Sequence, residues 1–502
     1  MNFPILVIII PLISALIIPV VVRFSRFLDW YVAVISTFMS FLFSMTLLST
    51  VVKSGRISYR LGGWEPPWGI EYAVDYLNGF VLVIISFIVF VVAIYARKSV
   101  KKDVEENKIP LFYSVYMLFF AGLMGITITG DIFNLYVFVE ISALAGYALV
   151  ALGKKKTALI ASYNYLILGT VAATFILLGI GYLYMVTGTL NMADLSVRLP
   201  ELYGSTVVHT AFAFILVGIS IKLALFPLHV WLPNVYSSAP PAVSALMAAT
   251  TAKVFAYVLL RVMFSIFKIE FSIEMVPVSK ILMIISPVAI IAGSILAIAQ
   301  TNIKRMLAYS SVGQIGYIVL GAALANQASM TGSMIHILNH ALMKGTLFLV
   351  VGVVVYRTGI EDISGLRGMG KKMPFTMAAF TIGALSMIGV PLTVGFVSKW
   401  YLALGALDAD MWYLIPVILL SSLLTAIYFW RVVEGIYFHR PISIDPEAAC
   451  TDNFYSKCID RTPTTMAVPV FVLAGLCIVF GIIAYVPVNL AGSAANMLLG
   501  VN

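Results

Sequence analysis

Apolar runs of roughly twenty residues, separated by short polar stretches, recur along the chain from one end to the other. A membrane helix needs roughly 20 apolar residues to cross the hydrocarbon core. On this pattern the expected spans are 3–22, 29–51, 77–96, 110–129, 132–151, 158–187, 208–232, 240–267, 280–300, 305–326, 330–356, 375–403, 413–438 and 465–488, which is 14. Several are longer than a bilayer requires and are expected to tilt, kink or break. The first run lacks a basic start and a small-residue cleavage site, so it reads as a span and not a signal peptide. About 14 residues follow the last span, too few for a long lateral helix. The expected fold is an all-α polytopic membrane protein with no soluble domain.

Composition narrows the class further. The 502 residues are 61% hydrophobic and 11% charged, with a mean hydropathy of +1.03. Soluble domains carry roughly 25% charged residues, and a soluble fold of this balance would expose more apolar surface than water tolerates. A soluble enzyme is excluded, and so is disorder, since the chain holds 31 Phe and 25 Tyr. Cys450, Cys458 and Cys477 form no CxxC pair, which excludes a disulfide framework and a cysteine-ligated cluster. They read as ordinary apolar or loop residues.

The net charge of +9 reports topology and not nucleic acid. If the N-terminus lies outside, 19 Lys and Arg fall in inner loops, among them Arg23, Arg26, Arg97, Lys101, Lys304, Lys457 and Arg461. Only 6 fall in outer loops. That asymmetry follows the positive-inside rule. It puts both termini outside in a prokaryotic cell (inner) membrane. The longest inner loop, about 439–464, carries Pro441, Pro446 and two of the cysteines. The longest outer one, about 52–76, centres on GGWEPPWG.

Two stretches resemble each other. GYLYMVTGTLNMADL from Gly181 and GVVVYRTGIEDISGL from Gly352 share Gly181/Gly352, Thr187/Thr358, Gly188/Gly359 and Leu195/Leu366 without a gap. A five-helix block therefore occurs twice, over 110–267 and 280–438, flanked by three helices in 1–109 and by a loop and last span in 439–502. Five is odd, so the copies are upside down relative to each other, as in transporters. Each copy holds a mid-span proline, Pro227 in KLALFPLHVWLP and Pro391 in GVPLTVGFVSKW. Proline removes a helix hydrogen bond, and in lipid the freed carbonyls must face protein or water. Paired broken helices mark an ion path or gate near the midplane.

Ionisable residues inside the spans carry the candidate chemistry. Glu140, Lys222, Lys253, Lys344 and Lys399 all fall well within apolar runs. Each would cost roughly 2.5–3.5 kcal/mol facing lipid at mid-depth, so each must face a protein interior, paired or wet. Glu140 and Lys222 are the expected pair. At ~4 Å and an effective dielectric of ~20 their attraction is roughly 4 kcal/mol, so a change in separation would alter how tightly Lys222 holds a proton. Lys253 is too deep to snorkel. His336, His340 and Lys344 occur as HILNHALMK at i, i+4, i+8, one stripe suited to a proton relay. No Cys or carboxylate stands at ligand spacing beside them, so no metal is expected. Lys399 either ends the relay or snorkels toward Asp408 and Asp410. His229, just past Pro227, extends the path or satisfies the broken backbone. Arg261, Arg431 and Glu434 read as anchors, with Arg431 paired to Glu434. Asp131 reads as interfacial, and His209 and His439 as bland.

At these residues the chain resembles the antiporter-like membrane subunits shared by respiratory complex I, Mrp cation/proton antiporters and energy-converting membrane-bound hydrogenases. The segments that carry the resemblance are the Glu140 helix, KLALFPLHVWLPNVYSSAPPAVSALMAATTAKV from Lys222, the HILNHALMK stripe and GVPLTVGFVSKW. GTLNMADLS from Gly188 and YSSAPPAVSAL look most like the D subunit of Mrp antiporters. The resemblance implies two inverted half-channels. It implies a Glu–Lys pair at Glu140 and Lys222, a central lysine at Lys253, a histidine-bearing helix at His336 and a terminal titratable residue at Lys399. Lys344 is close to a further basic position of some members.

The expected function is proton translocation, with or without Na⁺ exchange, by one membrane subunit of a multisubunit complex. No Rossmann motif, P-loop or cysteine cluster is present, so no cofactor is expected and any redox step would reside in partner subunits. The alternatives are a stand-alone secondary antiporter and a structural membrane anchor of a redox complex.

Overall fold

The computed structural model describes residues 2–25, 27–440 and 462–501. The sequence readings at Arg26, Pro441, Pro446, Cys450, Lys457, Cys458 and Arg461 lie outside these residues.

Among the described residues, 13 helices are long and apolar enough to cross a membrane. The one expected span not among them, 375–403, is a broken pair, Pro374–Ile388 and Val394–Asp408, interrupted at Pro391. The span at 208–232 is also interrupted. Thr206–Leu223 ends, irregular chain runs past Pro227, and a short helix resumes at Trp231–Ser238. Each interruption holds a non-glycine residue in the left-handed region, Ala224 at φ 59° and Leu392 at φ 68°. Such residues cost of order 1–3 kcal/mol and concentrate where function fixes the backbone.

Two helices form the centre. Every residue of Pro241–Leu260 is buried, and Gln327–Thr358 is buried from Ser329 to Val354. Ala245, Ala248, Ala249 and Ala252 keep the first slim, so neighbours can pack close without side-chain bulk. The outer helices Lys156–Thr187, Val278–Ile298 and Thr464–Ile482 bury only 33–39% of their apolar windows and leave the remainder for lipid.

Two isolated antiparallel bridges repeat along the chain. Asp131 pairs with Asn191, and Asn302 with Asp362, each residue of the second bridge 171 positions after its counterpart. The helices between them match in the same register. Ile132–Ala151 corresponds to Ile303–Leu324, and Lys156–Thr187 to Gln327–Thr358, both of the latter 32 residues long. Asp131 and Asn302 each cap their helix by accepting from a backbone N–H three residues on. The bridges sit at opposite ends of the bundle. Asp131 opens the Ile132–Ala151 helix, whereas Glu361, beside Asp362, binds Lys155 just beyond that helix's far end.

Several peripheral expectations need correction. The expected last span, 465–488, is two helices, Thr464–Ile482 and Tyr485–Leu499, the second packed on Gln327–Thr358. The outer loop forms a hairpin, Ile57–Arg60 against Glu71–Val74. Lys304 is not a loop cation but is buried, 3.0 Å from the Glu361 carboxylate, which Lys155 reaches at 2.5 Å. Burial alone would raise the Glu361 carboxyl, but these two lysines hold it below its ordinary value. Arg431 does not pair with Glu434. Its guanidinium donates to the carbonyls of Ile298 (2.9 Å) and Gln300 (2.7 Å), closing the end of the Val278–Ile298 helix. Arg261 is an anchor through a partner the sequence reading missed. It binds Asp75 with both terminal nitrogens, at 2.7 and 2.9 Å. Asp131 is buried as a helix cap, and His209 is satisfied by the Tyr203 carbonyl at 2.7 Å.

Candidate ion-translocation site

The first group of titratable residues gathers at the first break. Lys222 is the penultimate residue of Thr206–Leu223 and is 3% exposed. A cation there complements the partial negative charge of a helix C-terminus. The expected ion pair with Glu140 is absent. Lys222 Nζ instead donates to the Tyr147 hydroxyl at 3.5 Å and lies 5.9 Å from the centre of its ring. Glu140 and Tyr147 are seven residues apart on the Ile132–Ala151 helix, on one face and about 10 Å apart along the axis. Glu140 still acts on Lys222 electrostatically. Its Oε1 is buried without a protein partner.

Tyr147 is held in place. Its ring meets Tyr165 edge-on at 4.6 Å, and Tyr165 stacks on Trp231 at 4.5 Å. The Trp231 indole N–H donates to the Ile221 carbonyl at 2.8 Å, beside the end of the broken helix. Gly169 completes the cradle, since a Cβ there would fall 1.7 Å from the Tyr147 hydroxyl. His229 lies in the break itself, its ring stacked on Phe226 and 6.1 Å from Tyr309. Its Nδ1 has no protein partner.

The second group centres on the two buried helices. Lys253 is fully buried and its amine donates to the Ala248 carbonyl of its own helix at 2.5 Å. This side chain cannot snorkel, since its helix is buried throughout. His336, His340 and Lys344 are also fully buried, as one stripe of the Gln327–Thr358 helix. The two imidazoles stack at 6.0 Å. His336 Nδ1 meets the Ser398 hydroxyl at 2.8 Å, and its Nε2 has no protein partner. His340 has none on either nitrogen. Lys344 donates to the Leu307 carbonyl (2.7 Å) and the Ser310 hydroxyl (2.5 Å). Lys253 acts electrostatically on His336, His340 and Lys344, and Lys399 acts on His336.

Lys399 serves the second break. It is 6% exposed and does not reach toward Asp408 and Asp410. Its amine donates to the carbonyls of Met387 (3.1 Å) and Ile388 (2.8 Å), where the Pro374–Ile388 helix ends, and to the Ser422 hydroxyl at 2.9 Å. Gly389, at φ +88°, leaves room for it, since a Cβ there would lie 3.0 Å from Lys399 Cδ. Each break therefore has a lysine at the C-terminus of its first half-helix.

The predicted residues thus fall into two groups, Glu140 with Lys222, and Lys253 with His336, His340, Lys344 and Lys399. Among the described residues, no hydrogen bond or ion pair joins Lys222 to Lys253 or His229 to either group. Three lysines and two histidines share the second group without an ion pair to any carboxylate among the described residues. Buried polar groups lacking a protein partner call for water. Among the described residues, no cluster of three or more His, Cys, Asp and Glu side chains could hold a metal ion. Sequence reasoning missed Tyr147, Ser310, Ser398 and Ser422, because an isolated hydroxyl in a membrane helix carries no distinctive pattern.

Comparison with known proteins shows the family and the fold. Residues 129–425 match the family described as NADH:quinone oxidoreductase/Mrp antiporter, TM. The chain is 44% identical over 492 residues to the N subunit of the NADH-quinone oxidoreductase of Desulforudis audaxviator, covering 96% of each chain. It is 32% identical over 431 residues to the D subunit of the Na(+)/H(+) antiporter of Bacillus subtilis, covering 86% of each. The fold matches a chain of the membrane-bound sulfane sulfur reductase, an archaeal respiratory membrane complex, with a TM-score of 0.89 and 31% identity, covering 99% of this chain and 98% of that one.

Proposed function

Since the chain belongs to the NADH:quinone oxidoreductase/Mrp antiporter transmembrane family, we propose that it is a proton-translocating subunit of a multisubunit membrane pump, carrying protons along Glu140, Lys222, Lys253, His336, His340, Lys344 and Lys399. The similar proteins named above are themselves subunits of membrane complexes. This chain is a multi-pass membrane protein, and on the charge asymmetry of its loops both termini face outward from a prokaryotic inner membrane.

One observation carries the reading. Lys253, His336, His340 and Lys344 are all fully buried on two adjoining central helices, with no carboxylate paired to them. An anchor gains nothing from placing such groups at the most expensive depth. In a pump they serve as a run of sites that compete for few protons. Charge on Lys253 repels charge on Lys344 and on the histidines, so a proton arriving at one site favours departure from another. In this scheme Lys222 loads from the inner side under the control of Glu140, the central group passes the proton on, and Lys399 releases it. The two helix breaks, at Pro227 and Pro391, serve as the gates of two inverted halves, 110–267 and 280–438. Antiport would use the same path in reverse.

The test is Lys222→Ala in the assembled complex. Proton translocation is expected to fall at least tenfold while assembly is retained, and unchanged translocation removes the proposal. A stand-alone antiporter is the second reading, since the Bacillus subtilis relative is named for Na(+)/H(+) antiport, although as a subunit. Reconstituting the purified chain alone and measuring ΔpH-driven cation exchange decides between them, with no exchange expected.

A further inference from the structure

A cavity of about 910 Å³ opens between the ends of three helices, far from the titratable line. Its walls include Phe27, Asp29, Trp30, Arg97, Lys101 and Tyr113. Arg97 and Lys101 lie near the end of the Tyr76–Asp103 helix, and Trp30 lies near the start of Leu28–Ser54. Both positions are at span ends, so the cavity sits at the level of lipid headgroups. The volume falls within the range of small-ligand sites.

Its cations are unusual in making no ion pair. Arg97 makes no hydrogen bond or ion pair among the described residues. Its guanidinium lies 4.4 Å from the centre of the Trp30 ring and 5.7 Å from that of Tyr31. Trp30 is fixed beneath it, since its indole N–H donates to the Ala93 carbonyl at 2.9 Å. Lys101 is likewise without a hydrogen bond or ion pair among the described residues, 5.4 Å from the Phe27 ring. The wall holds two carboxylates, the exposed Glu106 and the buried Asp29, whose Oδ1 accepts from the neighbouring Trp30 amide at 2.6 Å. A guanidinium and an ammonium facing one cavity from one helix match a phosphodiester, which can accept several charge-assisted hydrogen bonds. Lys101 acts electrostatically on Asp29, whereas the Arg97 charge, held over Trp30 and paired to no carboxylate among the described residues, is left for a phosphodiester. Around this polar centre the rim is apolar and faces lipid, with Phe24 84% and Phe27 63% exposed. Interfacial aromatic residues beside basic ones mark the headgroup layer.

We propose that this cavity is a binding site for one anionic phospholipid, with the phosphodiester held by Arg97 and Lys101 above the Trp30 shelf and its acyl chains lying along the exposed apolar faces of the first two helices. Asp29 offers an acceptor to a headgroup hydroxyl, such as those of phosphatidylglycerol. Basic clefts between membrane helices recognise lipid headgroups by this chemistry.

The test counts phospholipid retained by the purified complex after exchange into nanodiscs of phosphatidylcholine doped with phosphatidylglycerol. The wild-type complex is expected to enrich phosphatidylglycerol. Arg97→Gln combined with Lys101→Gln is expected to lower that enrichment about tenfold, and Arg97→Lys to restore part of it. Proton translocation in neutral lipid is read in parallel, so that failure here is distinct from failure of the pump reading. Equal enrichment by the Gln variant in an assembled complex, displacement of the lipid by inorganic phosphate, or equal retention of phosphatidylcholine would each overturn the proposal.

Discussion

Lys222 donates its ammonium proton to the Tyr147 hydroxyl and makes no ion pair with Glu140, although both partners stand on the same face of the same helix. Tyr147, and not Glu140, is therefore the lysine's hydrogen-bond partner. Tyr165, Trp231 and Gly169 fix its ring.

Tyr147→Phe removes the hydroxyl and keeps the ring. Lys222 is then free to close on Glu140, which strengthens their attraction and holds the proton longer. Translocation by the assembled complex is expected to fall several-fold and its pH profile to move alkaline, with thermal stability within about 1.5 kcal/mol of wild type, the size of one hydrogen bond. An unaltered pH profile and rate would make Tyr147 a packing residue only.

His340 separates stability from function. Both ring nitrogens are buried without a protein partner, so the imidazole contributes no hydrogen bond to the fold. Replacing an unsatisfied buried polar group by an apolar one of similar size is neutral or stabilising. His340→Leu is expected to keep or raise the melting temperature of the complex and to reduce translocation at least tenfold. A loss of stability together with unimpaired transport would show the reverse role.

How much of this was legible in the sequence depends on the kind of signal. The spans were readable because lipid demands an unbroken apolar run of fixed length. The breaks were readable because Pro227 and Pro391 interrupt such runs. Glu140, Lys222, Lys253 and the His336–Lys344 stripe stood out because an ionisable group is costly at that depth. What could not be read was partnership across helices. Glu140 and Lys222 were expected to pair because opposite charges are few, yet a tyrosine intervenes that looks like any other aromatic residue in a span. Lys304 looked like a loop cation until Glu361, distant in sequence, buried it. The last helix, Tyr485–Leu499, was missed because Ala491, Ala494 and Ala495 pack on the bundle without forming a long apolar run.

The Asp75–Arg261 pair predicts an acid limit to stability. Burial alone would raise the Asp75 carboxyl, but the guanidinium overrides it and holds the group below its usual 3.8. A carboxyl depressed on folding stabilises the native state above its unfolded value. That stabilisation is lost as pH falls through the lower folded value. Asp75→Asn leaves Arg261 charged and unpaired, and is expected to cost about 3–5 kcal/mol. Thermal melts at pH 7 and pH 3 check both points. The wild-type advantage over the variant should be full at pH 7 and diminished at pH 3.

Proton uptake by proteoliposomes holding the intact complex with Lys253→Met tests the line of titratable groups most directly. Lys253 faces His336, His340 and Lys344 from the adjoining helix, and methionine keeps its length while removing its proton site. The account predicts that uptake falls to background while the complex remains assembled. Uptake at the wild-type rate would contradict it.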